Sequence, residues 1–331
     1  MRPAQNKKTG VFVIAAVVLL LFGVFLALSQ GAMQLTLSDI WNGMFHYSES
    51  LSDMMIRDVR LPRTICALFT GGILGMTGAM MQGVTKNPIA EPSLLGISQG
   101  ATLAISCFYA AGIGVTMGNV LLAAVAGALA GGGLIMGITL RSKGKMGIAK
   151  LLLAGTAMST FFTALTTVVG LLSNQSQMIG FWVSGGFRSA TWTDAKLIFV
   201  AGVIGLIPAV LLSARINIIS LGDETAIGLG ENPGKVRLIT MLLMIPLCAA
   251  GVAVGKTIGF VGLIVPQTVR LLLGDDYRKM IPCSFLGGAV LLTYADVVAR
   301  LIYQPYEVPV GVFTALLGVP FFLFMAKKER G

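Results

Sequence analysis

RLPRTICALFTGGILGMTGAMMQGVTKNPIAEPSLLGISQGA, residues 60–101, contains two apolar runs joined by a short polar turn. The first run is rich in glycine, with Gly71 and Gly75 four residues apart, a spacing that lets helix backbones approach closely in lipid. The turn at 86–92 has two prolines that fix a rigid reversal, and its Glu91 is expected to cap the next helix or contact a partner. The stretch predicts two packed membrane helices.

The whole chain has the composition of a membrane protein. Of its 331 residues, 55% are hydrophobic and 11% are charged, whereas about one quarter are charged in soluble domains. A spanning helix needs about 20 mostly apolar residues. We expect an all-α membrane protein with one transmembrane domain over residues 1–331 and a retained first helix. The ten predicted spans lie near 11–30, 63–84, 93–112, 118–140, 149–172, 195–214, 236–254, 257–272, 281–300 and 308–326.

The basic residues indicate how these spans are oriented. With the N terminus in the cytoplasm, most of the 24 Lys and Arg residues fall on the cytoplasmic side, as the positive-inside rule requires. Ten spans then place both termini in the cytoplasm. The net charge of +10 indicates contact with an anionic inner leaflet and not with nucleic acid.

Metal and catalytic chemistry find little support in the sequence. The four cysteines stand singly, without the spacing of a metal site or disulfide framework, and His46 is expected in a solvated loop. AGVAVGKT, residues 250–257, ends like a nucleotide-binding loop, but Ala250 stands where that pattern requires Gly. A membrane enzyme is disfavoured because the chain has no Ser/His pair, HExxH motif or paired intramembrane carboxylates. The cysteines are Cys66, Cys107, Cys248 and Cys283.

A polar insert, RINIISLGDETAIGLGENPGKVR at 215–237, interrupts the second half of the chain on the predicted cytoplasmic side. Asp223 and Glu224 come early in it and Gly228 and Gly230 late, which is typical of a short helix. Such a helix could enter a groove on a partner. An ordinary connection between two spans is the alternative.

SLGDETAIGLGENPGKVR, residues 220–237, resembles the coupling loop of the FecCD/BtuC-like permeases. These are the membrane subunits of type II ATP-binding-cassette (ABC) importers for ferric siderophores, haem and cobalamin. The resemblance covers nearly the whole chain, and Gln267 departs from it because the family usually has His there. The other similar stretches are 60–101, GFVGLIVPQTVRLLLGDDYRKMIP at 259–282, ADVVAR at 295–300 and EVPVGVFTALLGVPFF at 307–322.

The resemblance implies a BtuC-like fold and a homodimeric permease in the bacterial cytoplasmic membrane. It would work with two cytoplasmic ATPases, which bind ATP and Mg²⁺, and an extracytoplasmic substrate-binding protein, so this chain would need no cofactor. Arg60, Arg63 and Arg300 would dock the binding protein, with interfacial snorkelling as the alternative. Coupling helices at about 219–232 would contact the ATPases through Leu221, Gly222, Asp223, Glu224, Ala226, Leu229 and Gly230.

The resemblance also implies that the fifth span and the short helix after it line the path, although hydroxyls at such spacing often only bond backbone. Ferric siderophore is the favoured cargo, followed by haem and cobalamin. An ion-coupled secondary transporter is the rival class, for which Asp296 and Arg300 are the candidate ionisable residues. The path and gate residues would be Gly147, Ile148, Ala149, Ser159, Thr163, Thr166, Thr167, Gln175, Ser176 and Gln177.

Overall fold

The structure is a computed structural model that describes residues 2–113, 116–141, 148–304 and 306–328. Regular structure in these ranges is helical, which confirms the predicted all-α class. Met55–Arg60 form a π-helical segment before α4, and Pro92–Leu95 form a 3₁₀ turn before α5. The helices are α1 (Arg2–Ser29), α2 (Leu37–Phe45), α3 (Leu51–Met54), α4 (Leu61–Thr85), α5 (Ile97–Ala110), α6 (Met117–Arg141), α7 (Ile148–Leu172), α8 (Ser176–Ser184), α9 (Trp192–Ser220), α10 (Asp223–Gly228), α11 (Pro233–Gly255), α12 (Val261–Leu273), α13 (Tyr277–Leu301) and α14 (Val310–Lys328).

Each of the ten predicted spans contains a helix, but the helices differ in length. Seven of the described helical segments are long and apolar enough to cross a membrane, at 7–29, 51–85, 118–135, 153–172, 192–220, 233–255 and 277–301. In contrast, α5 has 14 residues and α12 has 13. At about 1.5 Å per residue, each falls short of a hydrocarbon core about 30 Å thick. The count of ten full spans therefore stays a prediction.

The two ends of α4 define two sides of the bundle. At its C-terminal end, α4 meets α10 and the start of α11, where Nε of Arg237 donates to the carbonyl of Val84 at 3.0 Å. We call this the α10 side. At the opposite end, the Arg63 side, Arg60 donates to the carbonyl of Leu28 near the end of α1 at 2.6 Å. Which side faces the cytoplasm stays a prediction from the charge distribution.

Glycines form the crossing between α4 and α13. A Cβ atom on Gly71 would lie 2.2 Å from the carbonyl oxygen of Gly288, and one on Gly75 would lie 2.2 Å from that of Ser284. No side chain fits at such distances, so the two backbones touch directly. This contact is the close approach that the glycine spacing predicts. It helps to make the span at 51–85 the most buried of the seven, with 78% of an 18-residue apolar stretch buried inside the bundle.

The helices α5 and α12, which are too short to span, both begin inside the bundle. A Cβ on Gly262, at the start of α12, would lie 3.4 Å from Cα of Gly78, two turns before the end of α4. Likewise, a Cβ on Gly131 of α6 would lie 2.3 Å from the carbonyl oxygen of Gly96, which precedes α5. Broken helices are tolerated at membrane depth where protein covers the exposed backbone. α5 and α12 are thus half-length helices in the first and second halves of the chain. The sequence indicates the broken helix of the first half only faintly.

Buried polar side chains hold the turn 86–92 against α12. Nε2 of Gln267 donates to Oε1 of Gln82 at 3.0 Å and to the carbonyl of Pro88. Gln82 in turn donates to the carbonyl of Gly262 at 3.3 Å. Glu91 is buried against the start of α12, where the backbone of Phe260 and Gly262 hydrogen-bonds to its side chain. It bonds the Ser93 side chain but does not cap the backbone of the 3₁₀ turn that follows it. Gln267 therefore ties α12 to α4 in this structure.

Candidate coupling site and translocation path

The polar insert contains the short helix α10, which lies between α9 and α11 in the chain and contacts both. It begins after Gly222, whose φ of +128° favours glycine, and Gly230 follows it with φ +82°. Asp223 and Glu224 occupy the first turn, where acidic side chains interact favourably with the helix dipole. Local sequence thus explains where α10 starts and stops.

One face of α10 is apolar and uncovered by the described part of this chain. Ile227 is 64% exposed, and Leu221 and Leu229, which flank the helix, are 67% and 61% exposed. Glu224 is exposed beside them, whereas Ala226 is fully buried against the bundle. The α10 side therefore presents a small apolar patch with an acidic edge.

Asp223 fastens α10 to two membrane helices. Nη2 and Nη1 of Arg237, in the first turns of α11, donate to its carboxylate at 2.8 and 3.0 Å. Nζ of Lys86, which caps the C terminus of α4, pairs with the same carboxylate. Partial burial raises the pKa of Asp223, but the hydrogen bonds of Arg237 and Lys86 outweigh that effect and leave the pKa below its ordinary value. We call this group the Asp223 clamp.

The predicted coupling residues thus divide into three groups. Leu221, Glu224 and Leu229 are exposed, Asp223 and Ala226 face the bundle, and Gly222 and Gly230 shape the backbone. Sequence analysis included Ile227 only within the coupling stretch 219–232 and did not name it as a contact residue, and it missed Lys86 and Arg237. Ile227 lies three residues after the exposed Glu224, and this helical spacing could have indicated that both share the exposed face. The pairing of Lys86 with Asp223 joins distant segments and leaves no local signal.

A buried charge cluster lies at the opposite side. Nη2 of Arg63 pairs with Oδ1 of Asp296 at 2.8 Å, and Nη1 pairs with Glu307 at 2.8 Å. Arg300 pairs with Asp296 at 3.1 Å, as their four-residue spacing in one helix predicts. One carboxylate, 1% exposed, thus serves two guanidinium groups and joins α4 to α13.

Two of the arginines also cap the end of α1. Arg60 donates to the carbonyls of Leu28 and Met33, and Nη1 of Arg300 donates to the carbonyl of Ala27 at 3.1 Å. The last carbonyls of a helix have no partner within the helix and carry partial negative charge. The guanidinium groups donate hydrogen bonds to these carbonyls, offset their partial negative charge and hold α1 against α13.

Hydroxyl groups follow the exposed face of α7. Ser159 donates to the carbonyl of Ser93 at 3.2 Å, and three threonines donate to carbonyls four residues earlier. Thr166 is buried, whereas Thr163 and Thr167 are exposed. Thr156 and Thr160 are exposed as well and complete a stripe along one face, which sequence reasoning missed although the spacing was present. The three threonines are Thr163, Thr166 and Thr167.

The predicted gate residues lie at the two ends of this region. Nε2 of Gln175 donates to the carbonyl of Tyr109 at 3.1 Å, which ties the start of α8 to the end of α5. Ser176 and Gln177 are exposed in the first turn of α8. Gly147 lies outside the described residues. Ile148 and Ala149 begin α7, but their side chains are also outside what the structure describes.

The model of the FecCD transport family matches residues 19–328. This chain belongs to the FecCD transport family. It is 42% identical to the iron(3+)-hydroxamate import system permease protein FhuB of Bacillus subtilis, over 97% of this chain and 84% of that protein. It is 39% identical to the Fe(3+)-citrate import system permease protein YfmD of the same organism, over 96% of this chain and 94% of that one.

A solved structure supports the same conclusion for the fold. A metal-chelate type ABC transporter in an inward-facing conformation matches with a TM-score of 0.83 and 27% identity, over 95% of this chain and 98% of that one. This FecCD chain is therefore a multi-span membrane permease of the ABC transporter type. This similarity disfavours the ion-coupled carrier and the membrane enzyme.

The burial of the three predicted docking arginines bears on their role in the FecCD permease. Arg60, Arg63 and Arg300 are only 4%, 5% and 6% exposed, and each guanidinium is bonded within the chain. A docked protein would have to displace these contacts, so docking by these residues stays a prediction. Arg57 and Arg188 are exposed on the same side, and Arg188 lines a pocket that also includes Arg63, Lys256 and Glu307.

Replacing Asp296 by alanine is expected to lower the free energy of unfolding of the FecCD permease by about 3–5 kcal/mol, because Arg63 and Arg300 would then be buried without their shared carboxylate. Asp275→Ala is the matched control. Asp275 pairs with Arg270 at 2.7 Å but is 77% exposed, so its loss should cost about 0–1 kcal/mol. Thermal unfolding of the purified variants in detergent measures both, and equal shifts would contradict the structural role given to Asp296.

Proposed function

We propose that this FecCD permease carries ferric siderophores into the cytoplasm as part of an ATP-driven importer. The observation that carries the proposal is 42% identity to an iron(3+)-hydroxamate permease over 97% of the chain. The similar Fe(3+)-citrate permease supports a ferric chelate as the cargo class. Haem and cobalamin are the alternatives within the same machinery. The chain itself breaks no covalent bond.

The apolar patch around α10 supports coupling to two cytoplasmic ATPase subunits. Leu221, Ile227 and Leu229 would enter a groove on an ATPase, and Glu224 would contact its edge. When the ATPases close on ATP, the motion of α10 would pass through the Asp223 clamp to α4 and α11. ATP and Mg²⁺ would bind in the ATPases, so this chain would need no cofactor of its own. The α10 side and both termini would then lie in the cytoplasm.

The exposed face of α7 supports a second copy of the chain as the other half of the path. Only 22% of an 18-residue apolar stretch of α7 is buried by the described part of the chain. The exposed threonines, whose hydroxyls bond the helix backbone, lie on this uncovered face. Between two copies, these threonines would face a channel with few strong ligands. Such a wall would let a bulky chelate pass without trapping it.

An extracytoplasmic binding protein would deliver the chelate at the Arg63 side. Arg57, Arg188 and Lys196 are exposed on this side, together with the acidic Glu49 and Asp58. The three cations would contact acidic groups of the partner through electrostatic complementarity. Arg60, Arg63 and Arg300 would join the contact only if docking opens the buried cluster. The membrane would be the bacterial cytoplasmic membrane.

Uptake of labelled cargo tests this proposal. Cells with and without the chain receive a ferric hydroxamate, ferric citrate, haem or cobalamin, each with ATP-depleted and uncoupled controls. We expect loss of the chain to abolish ATP-dependent uptake of a ferric chelate and to leave cobalamin uptake unchanged. Loss restricted to haem or cobalamin would correct the cargo. Uptake that followed the ion gradient and ignored ATP would overturn the mechanism.

A further inference from the structure

The segment between α1 and α4 contains the amphipathic helix α2, which the transport mechanism does not use. Its first turn is fixed by a capping box in which Thr36 and Asp39 bond each other, with 2.8 Å from the Thr36 amide to the Asp39 carboxylate. Asp39 is the single charged residue of the helix. α2 lies beyond the end of α1, at the Arg63 side of the bundle.

One face of α2 attaches it to the bundle. Ile40 and Gly43 are buried, and a Cβ on Gly43 would lie 3.0 Å from Cδ1 of Ile56 in the π-helical segment. Ile40 and Ile56 pack with Leu28 and Leu35 in a small apolar cluster of their own, separate from the main core. The position of α2 is therefore set by packing and does not depend on a partner.

A second face of α2 is apolar and uncovered in the described part of the chain. Leu37, Trp41, Met44 and Phe45 are 69%, 59%, 45% and 61% exposed. Their spacing of four, three and one residues places them on one stripe at about 100° per residue. Asn42 lies away from this stripe and is exposed on the polar face. A helix with one polar and one large apolar face is suited to the boundary between water and lipid.

Two neighbouring features place that boundary at α2. The lipid-accessible surface of α1 continues toward it through Phe22, Phe25 and Met33, which are 53%, 40% and 39% exposed. After the end of α13, on the same side, Tyr303 and Tyr306 stack at 5.8 Å and are both more than 60% exposed. Exposed Tyr and Trp side chains collect at membrane interfaces.

We propose that α2 lies in the headgroup region of the bilayer at the Arg63 side, with Leu37, Trp41, Met44 and Phe45 inserted into lipid. The stripe carries no charge with which to select a protein partner, whereas its aromatic and aliphatic side chains match the acyl boundary. In the orientation proposed above, this is the outer leaflet. The inference requires only that the bundle spans a membrane, so it stands independently of cargo and ATP coupling.

Fluorescence quenching of Trp41 in the full permease, reconstituted in phosphatidylcholine vesicles, tests the proposal. The signal of Trp41 is the difference between the unmodified chain and Trp41→Phe, so the other tryptophans remain in place. Lipids brominated near the headgroup end of the acyl chain should quench about half of this difference or more, and lipids brominated near the methyl end should quench less, because an interfacial helix inserts only about 5–10 Å. Aqueous iodide should quench little of it.

The matched control moves the tryptophan to the polar face. In Trp41→Phe with Asn42→Trp, iodide should quench the new tryptophan and brominated lipid should affect it weakly. Iodide quenching of Trp41 equal to that of the control would overturn the proposal, because the stripe would then face water. Protection of Trp41 from both quenchers would also overturn it, since a protein surface would cover the stripe.

Discussion

Gly75→Val is expected to prevent α4 from packing against α13 and to eliminate the folded permease. The Cβ atom alone would lie 2.2 Å from the carbonyl oxygen of Ser284, and backbone cannot move aside as a flexible side chain can. Valine and glycine differ by only a few tenths of a kcal/mol in helix propensity. The loss, which we expect to exceed about 4 kcal/mol, would therefore come from packing.

Gly133→Val provides the control for this prediction. Gly133 is an exposed glycine of α6 in which an added Cβ would meet nothing within 4 Å. The control therefore makes the same substitution in a membrane helix, at a position that does not lie at the α4–α13 crossing. Yield of monodisperse protein after detergent extraction, together with the thermal midpoint, measures the outcome. Comparable behaviour of the two variants would mean that α4 and α13 do not meet backbone to backbone.

The α4–α13 crossing shows how far sequence alone reaches. The spacing of Gly71 and Gly75 predicts a close helix contact, because small residues are what such contacts need. It does not identify Gly288 and Ser284 as the partners, which lie more than two hundred residues away in the chain. Spacing within one segment describes a surface, whereas the partner of that surface depends on the whole topology.

Helix lengths show a second limit. An apolar run of about 20 residues predicts a span, and 257–272 reads as one. In the structure α12 starts only at Val261, because the preceding backbone turns through Lys256 and Phe260, both with positive φ. This non-helical segment lies inside the bundle, so the residues before and after it in the chain are apolar. Hydropathy alone therefore does not distinguish a half-length helix preceded by a buried non-helical segment from a short membrane-spanning helix.

The arginines show why the functional site is harder to predict than the fold. Position in the sequence correctly assigns Arg60, Arg63 and Arg300 to one side of the bundle. Their exposure depends on Asp296, Glu307 and the last carbonyls of α1, which are contributed by other segments. A charged residue near a membrane boundary can face water or fill a buried cluster, and only the tertiary contacts decide between the two.

Asp223→Lys is expected to leave the permease folded and to lower uptake at least about tenfold. The new cation would stand between Lys86 and Arg237, and repulsion at these partly exposed positions amounts to on the order of 1–4 kcal/mol. α10 would then lose its attachment to α4 and α11 while keeping its exposed face of Leu221, Ile227 and Leu229. We therefore expect the ATPases to assemble and hydrolyse ATP without driving transport.

Glu224→Lys makes the same charge change one residue away, on the exposed edge and outside the Asp223 clamp. It should weaken ATPase assembly in a salt-dependent manner, because exposed charges are screened, and uptake should fall only as far as assembly falls. Asp223→Glu, which keeps the charge, should retain most of the uptake. Assembly, ATP hydrolysis and uptake of each variant in proteoliposomes separate these effects. If Asp223→Lys lost ATPase assembly as Glu224→Lys does, Asp223 would act at the partner surface and the clamp would not transmit motion.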